Sequence, residues 1–241
     1  MKFEFSAVLL AVLAANNAMG AEILKSGIYF TEGCSGEPLV QAALGFGNQC
    51  LKLTPSTSAK YSCSEMEIFS TAADCTGASS KTAVNTGCVS AGGVSTKNEC
   101  VTVPDGKIAK LSVGTACSDG EITGVVNEAF VVLDECTSFS AGAEVSFKYS
   151  AVDGGLKFTM FTEKNDCTGA SESATIPIGE CTLTSSGPVA GRRLQGGGEI
   201  AILVTPAVEG ATLGSGSSAM SASASAFAFV VAMLGAFATM A

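Results

Sequence analysis

The chain has 241 residues, a formal net charge of −9, ten cysteines and no histidine or tryptophan. The acidic balance argues against nucleic acid, whose phosphates demand clustered Lys and Arg, and against docking of the protein surface on acidic lipid. Without histidine, the Ser-His-Asp and Cys-His arrangements and the commonest transition-metal ligand are missing.

The N-terminus carries Lys2 as a short positive region, an apolar run from Ser6 to Ala15, and the small residues of Ala18-Met19-Gly20. This three-part layout predicts a signal peptide over residues 1–20 and a mature chain from Ala21. An exported chain folds in an oxidising compartment, where an even cysteine count reads as a disulfide framework. With all ten cysteines in five bridges, no thiolate is left for a nucleophile or a zinc cluster.

In chain order, short runs rich in β-branched and aromatic residues follow: SGIYF (26–30), LGFGNQCLKL (44–53), AFVVLDEC (129–136), VSFKYSA (145–151), LKFTMFT (156–162) and EIAILVT (199–205). Gly, Ser, Asp and Thr bound them, which predicts strands, and no internal segment sustains a helical stripe. Asp153-Gly154 between two of these runs predicts a hairpin turn.

The chain also repeats itself. ADCTGASS at 73–80 returns as NDCTGASE at 165–172, and KYS at 60–62 returns at 148–150. Cys34, Cys50, Cys75 and Cys88 correspond to Cys117, Cys136, Cys167 and Cys181, leaving Cys63 and Cys100 to pair with each other. Each cysteine followed by small turn residues opens a loop that the next cysteine is expected to close. The expected bridges are therefore Cys34–Cys50, Cys75–Cys88, Cys117–Cys136 and Cys167–Cys181. The predicted architecture is all-β, with two tandem disulfide-stapled modules over 21–103 and 104–189, each of about 85 residues. Units of that size bury little core, so the staples are expected to decide whether they fold. The segment from Ser118 to Glu135 is the longest and most apolar loop, part of it expected to be strand.

Candidate chemistry is sparse. Asp119 with Glu121, Asp134 with Glu135, and Glu163 with Asp166 could serve as calcium or catalytic acids, but none follows an EF-hand spacing and all read first as solvated loop acids. No N-x-Ser/Thr sequon occurs, and Asn48, Asn98 and Asn165 precede cysteines expected to be bonded. TPSTSAKYS (54–62) and the Ser-rich spacer after residue 214 are compositional candidates for O-linked sugar.

Residues 190–215 read as a Gly-rich linker, a short strand and an anchor-site region. The linker holds the only two arginines, Arg192 and Arg193, a candidate processing site. A cut there would shed most of the ectodomain unless the strand at 199–205 stays paired. Beyond it, LGSGSSA leads through a polar spacer to an apolar run from Ala226 to Ala241. This predicts replacement of a 216–241 propeptide by glycosylphosphatidylinositol, with Ser215 as attachment residue and Gly214, Gly216 and Ser217 as competitors. A short membrane span or a plain secreted form are the alternatives.

The signal peptide, the repeated CTGAS loops and the C-terminal tail together resemble the Cys-rich glycosylphosphatidylinositol-anchored surface proteins of unicellular eukaryotes as a class. That resemblance implies a protein on the outer face of the plasma membrane, displaying loops for binding, adhesion or coat formation. The expected partners are the membrane, through the lipid, and an extracellular protein or glycan; no cofactor, metal or catalysis is expected. An anchored carbohydrate-active enzyme using two carboxylates and a secreted protease inhibitor are the competing readings.

Overall fold

A computed structural model describes residues 20–36, 38–139, 145–185, 199–208 and 211–213. Residues 1–19 of the expected signal peptide, Arg192 and Arg193, Ser215 with its competitors, and the apolar C-terminal run lie outside the described residues.

The described chain is built of strands. The first half holds β1 (Ala21–Tyr29), β2 (Val40–Phe46), β3 (Cys50–Thr54), β4 (Thr57–Tyr61), β5 (Glu65–Phe69), β6 (Ser80–Ala83), β7 (Cys88–Ala91) and β8 (Val94–Val103). The second holds β9 (Ile108–Gly114), β10 (Ala116–Ser118), β11 (Glu121–Thr123), β12 (Asn127–Val132) and β13 (Cys136–Phe139). It continues with β14 (Val145–Val152), β15 (Gly155–Phe161), β16 (Ser171–Pro177), β17 (Thr182–Ser185) and β18 (Glu199–Pro206). Single 3-10 turns at Glu32–Cys34 and Asp105–Lys107 are the helical content of the described residues.

The strand pairing of the first half recurs in the second. β1 pairs with β2 and β8, and β8 with β7; in the same way β9 pairs with β12 and β18, and β18 with β17. The antiparallel meander β3-β4-β5-β6 is matched by β13-β14-β15-β16. Hairpin β10-β11 is the addition in the second half.

Free-standing tandem sheets do not result. β2 pairs with β12 at Ala43 and Phe130 and with β13 at Val40 and Phe139, which fuses strands of both halves into one 12-stranded sheet. Side chains explain why. One core gathers Ile23, Phe46 and Val103 from the first half around Ile108 and Phe130 from the second. The Phe46 and Phe130 rings lie 5.6 Å apart between centroids. Polar groups follow the same route: the Lys52 amide donates to Glu128 Oε2 at 3.0 Å, Gln49 Nε2 donates to the Ala207 carbonyl at 2.9 Å, and Lys25 pairs with Glu135. The other core, with Leu111, Tyr149, Leu156, Phe158, Ile176 and Ile202, belongs to the second half. All three tyrosines are buried, so aromatic rings supply more of the interior than their scarcity suggests.

One local expectation changes and one holds. LGFGNQCLKL is not one strand, because Gly47 and Asn48 at φ 56° and 60° turn the chain out of β2 and into β3 in a different sheet. The hairpin at Asp153-Gly154 forms as expected, with Val152 opposite Gly155, but only Gly154 takes the left-handed conformation.

Candidate functional site

Five disulfides form, and four of the expected partners change. The bridges are Cys34–Cys88, Cys50–Cys75, Cys63–Cys100, Cys117–Cys181 and Cys136–Cys167, with Cα separations of 5.6 to 5.8 Å. Only Cys63–Cys100 matches the expectation. Among the four corresponding cysteines of each half, the first bonds the fourth and the second bonds the third. Strand geometry forbids the sequential alternative. Cys34 and Cys50 bracket β2, Cys117 and Cys136 bracket β12, and Cys167 and Cys181 bracket β16; six or seven extended residues carry the chain ~20 Å, whereas a bridge needs Cα atoms about 6 Å apart. Cys75 and Cys88 are likewise held apart by β6.

The repeated phrase is a clasp. In the first half the loop after β5 folds back over β4, where the fully buried Ser58 receives it. Ser58 Oγ donates to the Ala72 carbonyl at 2.7 Å and accepts the Cys75 amide at 2.9 Å. In the second half Ser146, also fully buried, donates to the Lys164 carbonyl at 2.6 Å and accepts the Cys167 amide at 2.9 Å. The two cysteines share a left-handed backbone, φ 56° and 57°, and each is followed two residues later by a glycine at positive φ, Gly77 and Gly169. Thr76 and Thr168 each donate a hydroxyl to the preceding aspartate, Asp74 and Asp166, at 2.6 Å. That hydroxyl holds both carboxyls below the usual aspartate range. Two like local frames therefore carry Thr-Gly-Ala-Ser on exposed tips at 76–79 and 168–171.

The remaining candidates fall into local structural roles. Asp119 and Gly120 form the left-handed turn of hairpin β10-β11, with Glu121 beside them on the exposed strand. Asp134, itself at φ 62°, pairs with Lys107, whose ammonium lowers the carboxyl below its ordinary range. Glu135 turns the other way, to Lys25. Glu163 is exposed one strand end away from the Asp166 clasp. Among the described residues no group of three or more His, Cys, Asp or Glu is arranged to hold a metal ion. Within TPSTSAKYS, Ser58 is sealed in the clasp and the Thr54 and Thr57 hydroxyls bond each other at 2.7 Å, which leaves Ser56 as the exposed hydroxyl of the β3-β4 turn.

Comparison with family models, curated proteins and solved structures finds no match.

A second feature was not foreseen. Phe30, Val89 and Val94 are exposed, at 66%, 46% and 37%, around the tip that Cys34–Cys88 staples. The sequence shows an apolar residue just past a strand at Phe30 and two valines far along the chain at Val89 and Val94, but nothing in it places the three together. Pairing of Tyr29 with Ser95 and of Val89 with Thr96 does so.

Proposed function

We propose that this chain is an exported, glycosylphosphatidylinositol-anchored surface protein, made of two duplicated β modules whose stapled loops bind an extracellular protein or glycan without catalysis. The observation that carries the proposal is the twin clasp. Each half fixes the same Asp-Cys-Thr-Gly-Ala-Ser phrase with a buried serine, a bridge and two left-handed residues, and the tip it fixes is exposed. Rigid exposed loops lose little entropy on binding, and two like loops on one tether raise avidity.

Three further features support the reading. β1 starts at Ala21, the residue with which the mature chain is expected to begin. Ala21 pairs with Val103 just before the Asp105–Lys107 turn, and a Cβ built on Gly106 in that turn would lie 3.0 Å from the Thr212 carbonyl oxygen, so both ends of the chain after residue 20 meet at one turn. A lipid on the residues that follow would hold the molecule by that turn, with the Cys34–Cys88 tip at the opposite end of β8, ~30 Å away for ten extended residues.

Treating intact cells with a phosphatidylinositol-specific lipase tests the anchor: release of the protein is expected, and retention beside an efficiently released control contradicts it. For the loops, the purified ectodomain is presented to glycan and extracellular-protein arrays. Capture is expected, and is expected to be lost when Ala78→Arg and Ala170→Arg are combined; capture unchanged by both substitutions contradicts the assignment to the tips.

A further inference from the structure

We infer that β18 is a noncovalent bolt: a cut in the connector between Ser185 and Glu199 leaves the ectodomain attached to the C-terminal piece that carries the anchor. The inference rests on the anchored reading for its biological meaning, but on the fold alone for its physics. β18 is not a peripheral strand. It lies between β9 and β17, with six partner positions on β9 and four on β17. Ala201, Ile202 and Val204 have no exposed surface. The Gly179 amide adds a hydrogen bond to the Val204 carbonyl at 2.8 Å, and the Ala207 amide donates to the Ile108 carbonyl at 3.1 Å.

The grip extends past the strand. Ala207 is buried in the core shared by both halves, and Leu213 packs against the core of the second half. No cysteine follows Cys181, so a fragment cut free at its N-terminal side has no covalent link to the rest. Strand pairing and burial must hold it alone. Extracting a central strand breaks two ladders and exposes apolar side chains, whereas peeling an edge strand breaks one. Cleavage at the dibasic pair therefore yields a two-chain surface protein in place of a shed one.

Arg192 and Arg193 are the only arginines, so an arginine-specific endoprotease cuts the native protein nowhere else. After cutting, the two fragments are expected to co-elute in equal amounts on native size exclusion, and to separate in denaturant without any reductant. A preparation that resists cutting when folded is cut in denaturant with its bridges intact and refolded before the same measurement. Elution of the large fragment alone, from either preparation, overturns the inference. On cells, the large fragment is expected to stay after the cut and to leave, together with the small one, when the lipase is added. Loss of the large fragment on cutting, from cells where lipase releases the uncut protein, overturns the bolt and leaves the anchor standing. Co-elution of the fragments with no release by lipase supports the bolt and removes the anchor.

Discussion

The Cys75 amide donates to the hydroxyl of Ser58, which has no exposed surface, at 2.9 Å, and the Cys167 amide makes the same bond to Ser146 at the same distance. One hydroxyl thus serves a loop amide and a loop carbonyl at once, and it does so beside a disulfide that closes the same loop.

Ser58→Ala or Ser146→Ala removes both bonds at once. Each substitution is expected to destabilise the protein by about 1–3 kcal/mol, because the amide and carbonyl lose their partner inside the fold. Chemical denaturation with the bridges intact reads the loss. A change within experimental error in both variants would show that water replaces the hydroxyl and that the clasp does not depend on it.

Gly45→Ala is expected to be far worse than Gly77→Ala in the exposed turn. A Cβ built there would lie 2.2 Å from Tyr61 Cβ and 2.7 Å from the Tyr61 carbonyl oxygen, in the seam between β2 and β4, where neither neighbour can give way. Overpacking against backbone predicts a loss of about 3 kcal/mol or more and poor expression. Gly77→Ala meets open space and pays only for its φ of +83°, about 1–2 kcal/mol. The ranking of the two by expression and unfolding midpoint checks the packing of the seam.

Acid is expected to weaken the protein slightly through Asp134. Its folded carboxyl is held below the ordinary range by Lys107, so the pair contributes fully above the unfolded aspartate pKa of about 3.9 and the contribution disappears as pH falls through the lower folded value. Because the partners are 46% and 43% exposed, solvent screening keeps it below about 1 kcal/mol. Asp134→Asn, which also tolerates positive φ, should flatten the stability curve below about pH 4 by that amount, as read by unfolding at each pH. A steeper acid loss in the variant than in the native protein would have the sign wrong.

The two halves are expected to unfold together. Phe46→Leu and Phe130→Leu, singly and combined, should show a coupling of about 0.5–1.5 kcal/mol in a double-mutant cycle, as befits rings in contact across a shared core. Two separate transitions, with Phe46→Leu moving only one of them, would restore independent modules.

Much of this was legible in the sequence, and the misses have physical causes. Period-two runs such as KFTMF announced β15, and the Asp153-Gly154 turn was readable because a short hairpin is a local decision. The repeat of Asp-Cys-Thr-Gly was visible as text, but its purpose depended on Ser58 and Ser146, residues 17 and 21 positions upstream that arrive only after a strand reverses. Pairing of cysteines failed for the same reason: nearest in sequence is not nearest in space when a strand of six or seven residues lies between them. Nor could composition reveal that Phe130 would finish a core begun by Ile23 and Phe46, since that contact spans the expected module boundary. Cys63 and Cys100 were assigned by elimination, which works without any geometry.

Peptide mapping of the unreduced protein by mass spectrometry tests the central claim, that nested covalent staples build two like loops on two like meanders. The nested order predicts linked peptides joining Cys50 to Cys75 and Cys136 to Cys167 inside loops closed by Cys34 with Cys88 and Cys117 with Cys181. Chain-entropy arguments make each closure worth roughly 3.5–4.3 kcal/mol for loops of 25 to 64 residues. Linked peptides joining Cys34 to Cys50 and Cys75 to Cys88, or free thiols at these positions, would contradict it.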